Sequence, residues 1–459
     1  MATEDGVGIL LGNQRTAVIA LAIPLGIALF IQQINSLVDS FWVSGLGSDE
    51  MASIGIVSPL YAALVGIGGG LGIGISASIS RFIGRGEPSS ANRIAAQGLI
   101  LTVIISVIST IVLLVTAEPL LKLIGAGNTL GLCMEYALPI YAGTIFVILS
   151  GVMSGMLRGE GAAKRSMYIQ TAGAFANIVL DPIFIYTFDM GVAGAAWATV
   201  IALAISSIIP FYWYLFTKDT FVRIEKKDFV RDRDARGDIL SVGLPEMMEL
   251  SLMYLFNILL NYFVIVCGGT DGVAVYTTAW KIVALGVVPA QAIGGALVSV
   301  CSAEYGMRKF DEIADAFRYS IKITMLSMAG VAILIIASAM PIAMAFTVGD
   351  NTVHIRSELE HVLIIMALFT PFFALVYPGS SLMQALRKAG QAMVNTVFRN
   401  IFIASMFAAV AFTVADIEWI WYALFIGETI GGFMMLAHAH SVLRDVLKRE
   451  KRRLNANEC

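Results

Sequence analysis

Long apolar runs, each closed by a short polar stretch, recur about twelve times along the chain. They fall near 15–44, 52–84, 93–117, 130–156, 165–188, 191–216, 240–267, 273–303, 314–340, 356–385, 391–414 and 418–443. A helix rises 1.5 Å per residue, so each run can cross roughly 30 Å of hydrocarbon. Several runs exceed that length, which predicts tilt or extension into water. Pro24, Pro139, Pro182, Pro245, Pro289, Pro371 and Pro378 lie inside the runs. Membrane helices tolerate such prolines because their neighbours re-satisfy the freed backbone groups. The predicted fold is an all-α polytopic membrane protein of about twelve transmembrane helices.

Composition sharpens the class. Of 459 residues, 58% are hydrophobic and 14% charged, where a soluble chain carries roughly a quarter charged. The net charge of −3 says little about partners, and no nucleic-acid partner is expected. Cys133, Cys267, Cys301 and Cys459 lack paired spacing, which argues against a metal site or disulfide framework. The start carries Glu4 and Asp5 and no basic n-region, so no cleavable signal is expected. Lys and Arg crowd the loops after even-numbered runs, from Arg81 and Arg85 through Lys218 to Arg387 and Lys388. The tail adds Arg444, Lys451, Arg452 and Arg453, whereas loops after odd-numbered runs hold only Lys122 and Arg356. This bias places both termini in the cytoplasm of a cell-membrane protein and requires an even number of spans.

The chain also repeats itself. Val38-Asp39-Ser40-Phe41 resembles Leu260-Asn261-Tyr262-Phe263, and the segment from Arg81 through Gly84 resembles that from Ala303 through Gly306. Leu157-Arg158-Gly159 resembles Leu386-Arg387-Lys388, and all offsets fall between 222 and 229 residues. This predicts two six-helix lobes, 1–216 and 240–443, joined by a cytoplasmic linker, 217–239, and followed by a basic tail, 444–459. Six spans per lobe make the repeats parallel, related by a pseudo-twofold axis along the membrane normal, with a substrate cavity between them.

Asp39 and Asp181 stand inside apolar runs, where an ionisable side chain is costly and faces a partner, cavity or pathway. Asn177 precedes Asp181 by four residues and shares its helical face. Pro182 disfavours helix at Asp181. Asp39, Asp181 and Thr199 are predicted at similar depth, roughly 9–12 Å from the outer face. Two carboxylates, an amide and a hydroxyl are hard donors that suit Na⁺ or a shared proton. Gln32, Gln33 and Asn35 are candidates for lining the same cavity.

The second half carries Asn261 where the first has Asp39, and its own buried charges are Glu246, Glu249, Lys281, Arg399 and Glu428. By depth, Lys281 is expected to pair with Glu428, and Arg399 with Glu246 or Glu249. Those two acids can also attract a cationic substrate. The glycines between Gly66 and Gly74 have the spacing that lets helices approach closely. They form no phosphate loop, since no strand precedes them and no Lys follows.

Val38-Asp39-Ser40-Phe41-Trp42-Val43-Ser44-Gly45, the run Ser80-Arg81-Phe82-Ile83-Gly84-Arg85-Gly86, and Asn177 to Pro182 resemble the multidrug and toxic compound extrusion (MATE) family, in its prokaryotic, DNA-damage-inducible-protein-like branch. The resemblance implies a two-lobed V that opens alternately inward and outward. It implies export of cationic or amphipathic aromatic compounds in exchange for Na⁺ or H⁺, with no other cofactor, by a monomer in the bilayer. Carried over by position, the cation site would comprise Asp39, Asn177, Asp181 and Thr199, with the Ala195 carbonyl. Bending of the first helix would be linked to protonation at Asp39, and Pro24 and Gly26 would permit it. The alternative is a flippase of lipids or lipid-linked oligosaccharides. An enzyme is not expected: Asp232 and Asp234 alternate with Arg and form no Mg²⁺-binding cluster.

Overall fold

The structure, a computed structural model, describes residues 2–217, 219–348 and 352–457. Lys218, Cys459 and the side chains of Glu4, Asp5, Lys451, Arg452 and Arg453 lie outside what it describes. Helices α1 (Ala2–Leu10), α2 (Gln14–Ser44), α3 (Ser48–Gly84), α4 (Pro88–Ile124), α5 (Leu130–Ala142), α6 (Thr144–Gly159), α7 (Ala163–Pro182) and α8 (Gly191–Tyr212) make the first half. The second half comprises α9 (Arg233–Gly286), α10 (Val288–Met307), α11 (Phe310–Phe346), α12 (Arg356–Phe373), α13 (Val376–Ala385), α14 (Ala389–Thr413) and α15 (Ile417–Asn457).

Ten of the described helical segments are long and apolar enough to cross a membrane, and the bent pair α5–α6 makes an eleventh. Within the 54-residue α9, Gly269 adopts φ 61°, a conformation glycine takes without steric cost. The limb after it leads into α10, with only Val287 between the two helices. Apolar side chains such as Ile108, Val115, Ile333 and Leu334 stay exposed on the outside of the bundle. In a bilayer that is the expected state, because lipid tails solvate them.

The glycine-rich α3 forms the seam. It packs against α6 of its own half and against α9 and α10 of the other. A Cβ on Gly72 would collide with the backbone of Gly151, and one on Gly155 with the backbone of Gly72. Across the seam the repeat-related glycines do the same reciprocally. A Cβ on Gly84 would strike the Ala303 carbonyl, and one on Gly306 would strike that of Arg81. Ser76 and Ser299, one on each side of the seam, share a hydrogen bond of 3.1 Å. The reciprocal approach of Gly84 to Ala303 and of Gly306 to Arg81 is what a pseudo-twofold axis at this point requires.

Charges reinforce one end of the seam. Asp238 of α9 accepts from the buried Arg81 at 2.8 Å and pairs with Arg387 at 2.5 Å. Arg81 already has Nε and Nη1 buried without partners. Removing the carboxylate with Asp238→Ala should therefore cost about 3 kcal/mol, the low end for a broken buried pair because Asp238 is itself 17% exposed. The expected result is a Tm several degrees lower in detergent. An unchanged Tm would show that water replaces the carboxylate without loss.

The segment joining the halves is docked rather than loose. Gln97 donates to the carbonyl of Val230 at 3.0 Å and accepts from Arg236 at 2.7 Å. Arg165 pairs with Asp219, and Glu160 accepts from Tyr214 Oη at 2.6 Å and from the Val222 amide at 3.0 Å. Burial pushes the Glu160 carboxyl up from 4.5 to about 7, against the lowering by those donors. Its protonated form is thus favoured in the docked state. Stability from this group is complete below about pH 4.5 and is lost as pH rises through 7. Proteolysis of the 217–232 segment should be faster at pH 8 than at pH 6, and Glu160→Gln should flatten that dependence. Equal pH dependence in the two proteins would refute the assignment.

Candidate functional site

Helix α2 packs along α7, and their polar positions meet in one place. Asn35 and Asp39 are one turn apart on α2, as are Asn177 and Asp181 on α7, so each pair shares a face. Asn35 Nδ2 donates to Asn177 Oδ1 at 2.8 Å, and Asn177 Nδ2 donates to Asp181 Oδ1 at 2.9 Å. The Asp39 and Asp181 carboxyls are in hydrogen-bonding reach of each other. Asp181 is fully buried and Asn177 nearly so. Two oxygens of the cluster, Asn35 Oδ1 and Asp181 Oδ2, are buried and accept no hydrogen bond. Orphaned acceptors are rare in interiors and call for a proton, water or ion, so the donor set fits a small cation.

The cluster opens onto a cavity of about 430 Å³. Its lining runs from Leu25 on α2 to Ser206 on α8, entirely within the first half. The cavity carrying the acids therefore lies inside one lobe rather than between the lobes as expected. Asp39, Asn177, Thr199, Gln32 and Asn35 line it. Gln33 does not: one residue beyond Gln32, it is turned about 100° around the helix. The Thr199 hydroxyl donates to the Ala195 carbonyl at 3.0 Å. Ala195 is itself buried off the cavity, and its carbonyl already has a donor.

Pro182 does not break the helix at Asp181. Helix α7 runs through Pro182 and continues as a π turn, Ile183–Thr187. The wider turn absorbs the missing proline N–H beside the site, where such turns often occur.

The second-half acids stand elsewhere. Glu246 accepts from Gln384, and Glu249 accepts from Thr396 at 2.8 Å. Arg399 lies 3.3 Å from Glu428, with both side chains buried, while Lys281 is exposed. The expected pair of Lys281 with Glu428 is thus replaced by Arg399 with Glu428, while the Arg399 charge also acts on Glu249 as expected. Rotation about the helix axis, invisible to a depth estimate, turns Lys281 outward and leaves Glu428 to Arg399.

Several lining residues had escaped the sequence reading. Tyr61 and Tyr136 stand in the cavity wall, and Ser150, Ser154, Arg158 and Gln170 make its other end. The four-residue spacing of Ser150, Ser154 and Arg158 on one helical face was the available signal.

Comparison with known proteins agrees with this architecture. The MatE family profile matches residues 24–183 and 245–410, one stretch in each half. The multidrug export protein MepA of Staphylococcus saprophyticus is 25% identical over 447 residues, covering 94% of this chain and 95% of that protein. A solved structure described as the outward-facing conformation of a multidrug resistance MATE family transporter of the MOP superfamily is 33% identical. It superposes with a TM-score of 0.93, over 96% of this chain and 99% of that one. A MOP superfamily transporter from Pyrococcus furiosus, described as having a binding pocket of reverse polarity, is 32% identical. Its TM-score is 0.93, over 96% of this chain and 98% of that one. With both halves matched and the fold superposed over 96% of the chain, the chain belongs to the MatE family, the multidrug and toxic compound extrusion transporters.

Proposed function

We propose that this protein is a secondary active exporter that moves cationic or amphipathic aromatic compounds out of the cell in exchange for Na⁺ or H⁺. The observation that carries this reading is the contact of Asp39 with Asp181, beside two orphaned oxygens, on the wall of a cavity. Two carboxyls in contact at membrane depth cannot both keep a full negative charge unless a cation joins them. A proton on one of them, or Na⁺ among Asp39, Asn177, Asp181 and Thr199, supplies that charge. The names of its relatives, a multidrug export protein and a multidrug resistance transporter, support the direction and the cargo.

Coupling follows if cation and cargo favour different states of the same lobe, since a ligand shifts a two-state equilibrium only by its differential affinity. Both termini lie on the cytoplasmic side in this reading, and the protein works as a monomer. The test is efflux of a fluorescent cationic dye from proteoliposomes, with a Na⁺ gradient and a pH gradient imposed separately. Efflux driven by one gradient and not the other names the coupling ion. No dye movement under either would overturn the antiport reading in favour of lipid flipping.

A further inference from the structure

We propose that Arg158 is an anion-binding residue at the floor of the cavity, there to hold a carboxylate or phosphate group of the transported compound. This deepens the export reading and rests on it for the word "transported".

Arg158 stands in the last turn of α6 and lines the cavity. Among the described residues it has no ion pair and no hydrogen bond, and its Nε is buried without a partner. Glu160, two residues on, is engaged by Tyr214 and Val222. The repeat-related Arg387 makes the contrast: it finds a protein carboxylate, Asp238, at 2.5 Å. The guanidinium is half-buried on the cavity wall, with its Nε shut off from water and unpaired; leaving it so is costly, and a ligand anion that completes it is stabilising.

The surroundings form an anion site rather than a cation site. One turn above, Ser154 is held by Ser166 at 2.7 Å and by Gln170 at 3.1 Å, which fixes neutral polar groups beside the guanidinium. Gly295 of the second half lies close by, and a Cβ there would sit 3.9 Å from Arg158 Nη1. The guanidinium therefore reaches the seam along which the lobes separate. Leu25 packs on the same Gly295, and Asp39 lies fourteen residues further along α2. That rise places the acid pair about 21 Å from the floor. The cavity is thus acidic at one end and basic at the other. Such a site selects amphoteric cargo, a compound bearing an anionic group as well as its aromatic or cationic body.

The experiment is equilibrium binding of tetramethylrhodamine, which carries a free carboxylate, and of its methyl ester, which does not. A charge-assisted, forked contact should make wild type bind the carboxylate dye at least about tenfold more tightly than the ester. In Arg158→Gln that ratio should fall to about one. Arg158→Lys should keep part of it, since a point charge replaces the fork. An equal affinity for both dyes in wild type, which requires no variant to fold, overturns the proposal, as does an undiminished ratio in Arg158→Gln. Short-chain phosphatidylglycerol is the competitor that separates sources of the anion. If it displaces the carboxylate dye from wild type but not from Arg158→Gln, a lipid phosphate takes the site; if it displaces neither, the site belongs to the cargo's own acid. Because binding alone is read, a clear carboxylate preference without gradient-driven efflux would defeat the exporter reading and leave this one standing.

Discussion

Replacing Asp181 with Asn lowers cation-driven dye efflux at least about tenfold, and Asp39→Asn does the same. The side chain is fully buried and its Oδ2 has no protein donor, so nothing but a cation or proton compensates its charge. An amide occupies the same volume and can still bond Asn177, so the variant should fold and reach the membrane. What it loses is the charged contact with the coupling ion, worth roughly 1.5–3 kcal/mol for an ionised partner, or one to two orders of magnitude in affinity. Cation entry then no longer reports on cargo occupancy, and the gradient cannot be converted into export. Equilibrium dye binding should survive far better than efflux, because the cavity wall is intact. Efflux retained above half the wild-type rate in both variants would reduce the cluster to a polar knot that only joins helices.

A disulfide between Ser76→Cys and Ser299→Cys should abolish transport completely and reversibly. The two hydroxyls are 3.1 Å apart across the seam, one on α3 and the other on α10, so the side chains already face each other. Sulfurs in their place can bond with little movement. Alternating access moves one lobe against the other around the site, and the crosslink ties the lobes where repeat-related backbones meet most closely. Native cysteines, above all the buried Cys301 two residues away, have to be replaced first. Oxidation should stop efflux and a reductant should restore it. Full efflux from the oxidised protein, with the crosslink verified by mass, would mean that this end of the seam stays closed throughout the cycle.

Much of the candidate site is legible in the sequence. Asp39, Asn177 and Asp181 announced themselves by being charged or amide groups within apolar runs, and the fold brings all three into contact. Gln33 was not separable from Gln32, because neighbours on a helix differ by a rotation that only packing fixes. Arg158 was hidden by its position, since an Arg near a run's end reads as a topology signal whether or not it turns inward.

By itself, then, the sequence determined the class, the number of crossings, the repeat and the identity of the buried acids. Those properties follow from transfer free energies and periodicity, which act residue by residue. Tertiary structure alone decided that the cavity lies within the first half, that Arg399 takes Glu428 while Lys281 faces outward, and that Arg158 is left unpaired at the cavity floor. These depend on how far each helix is rotated about its axis. That rotation is set by contacts between residues far apart in the chain, such as Gly72 on Gly155 and Gly84 on Ala303.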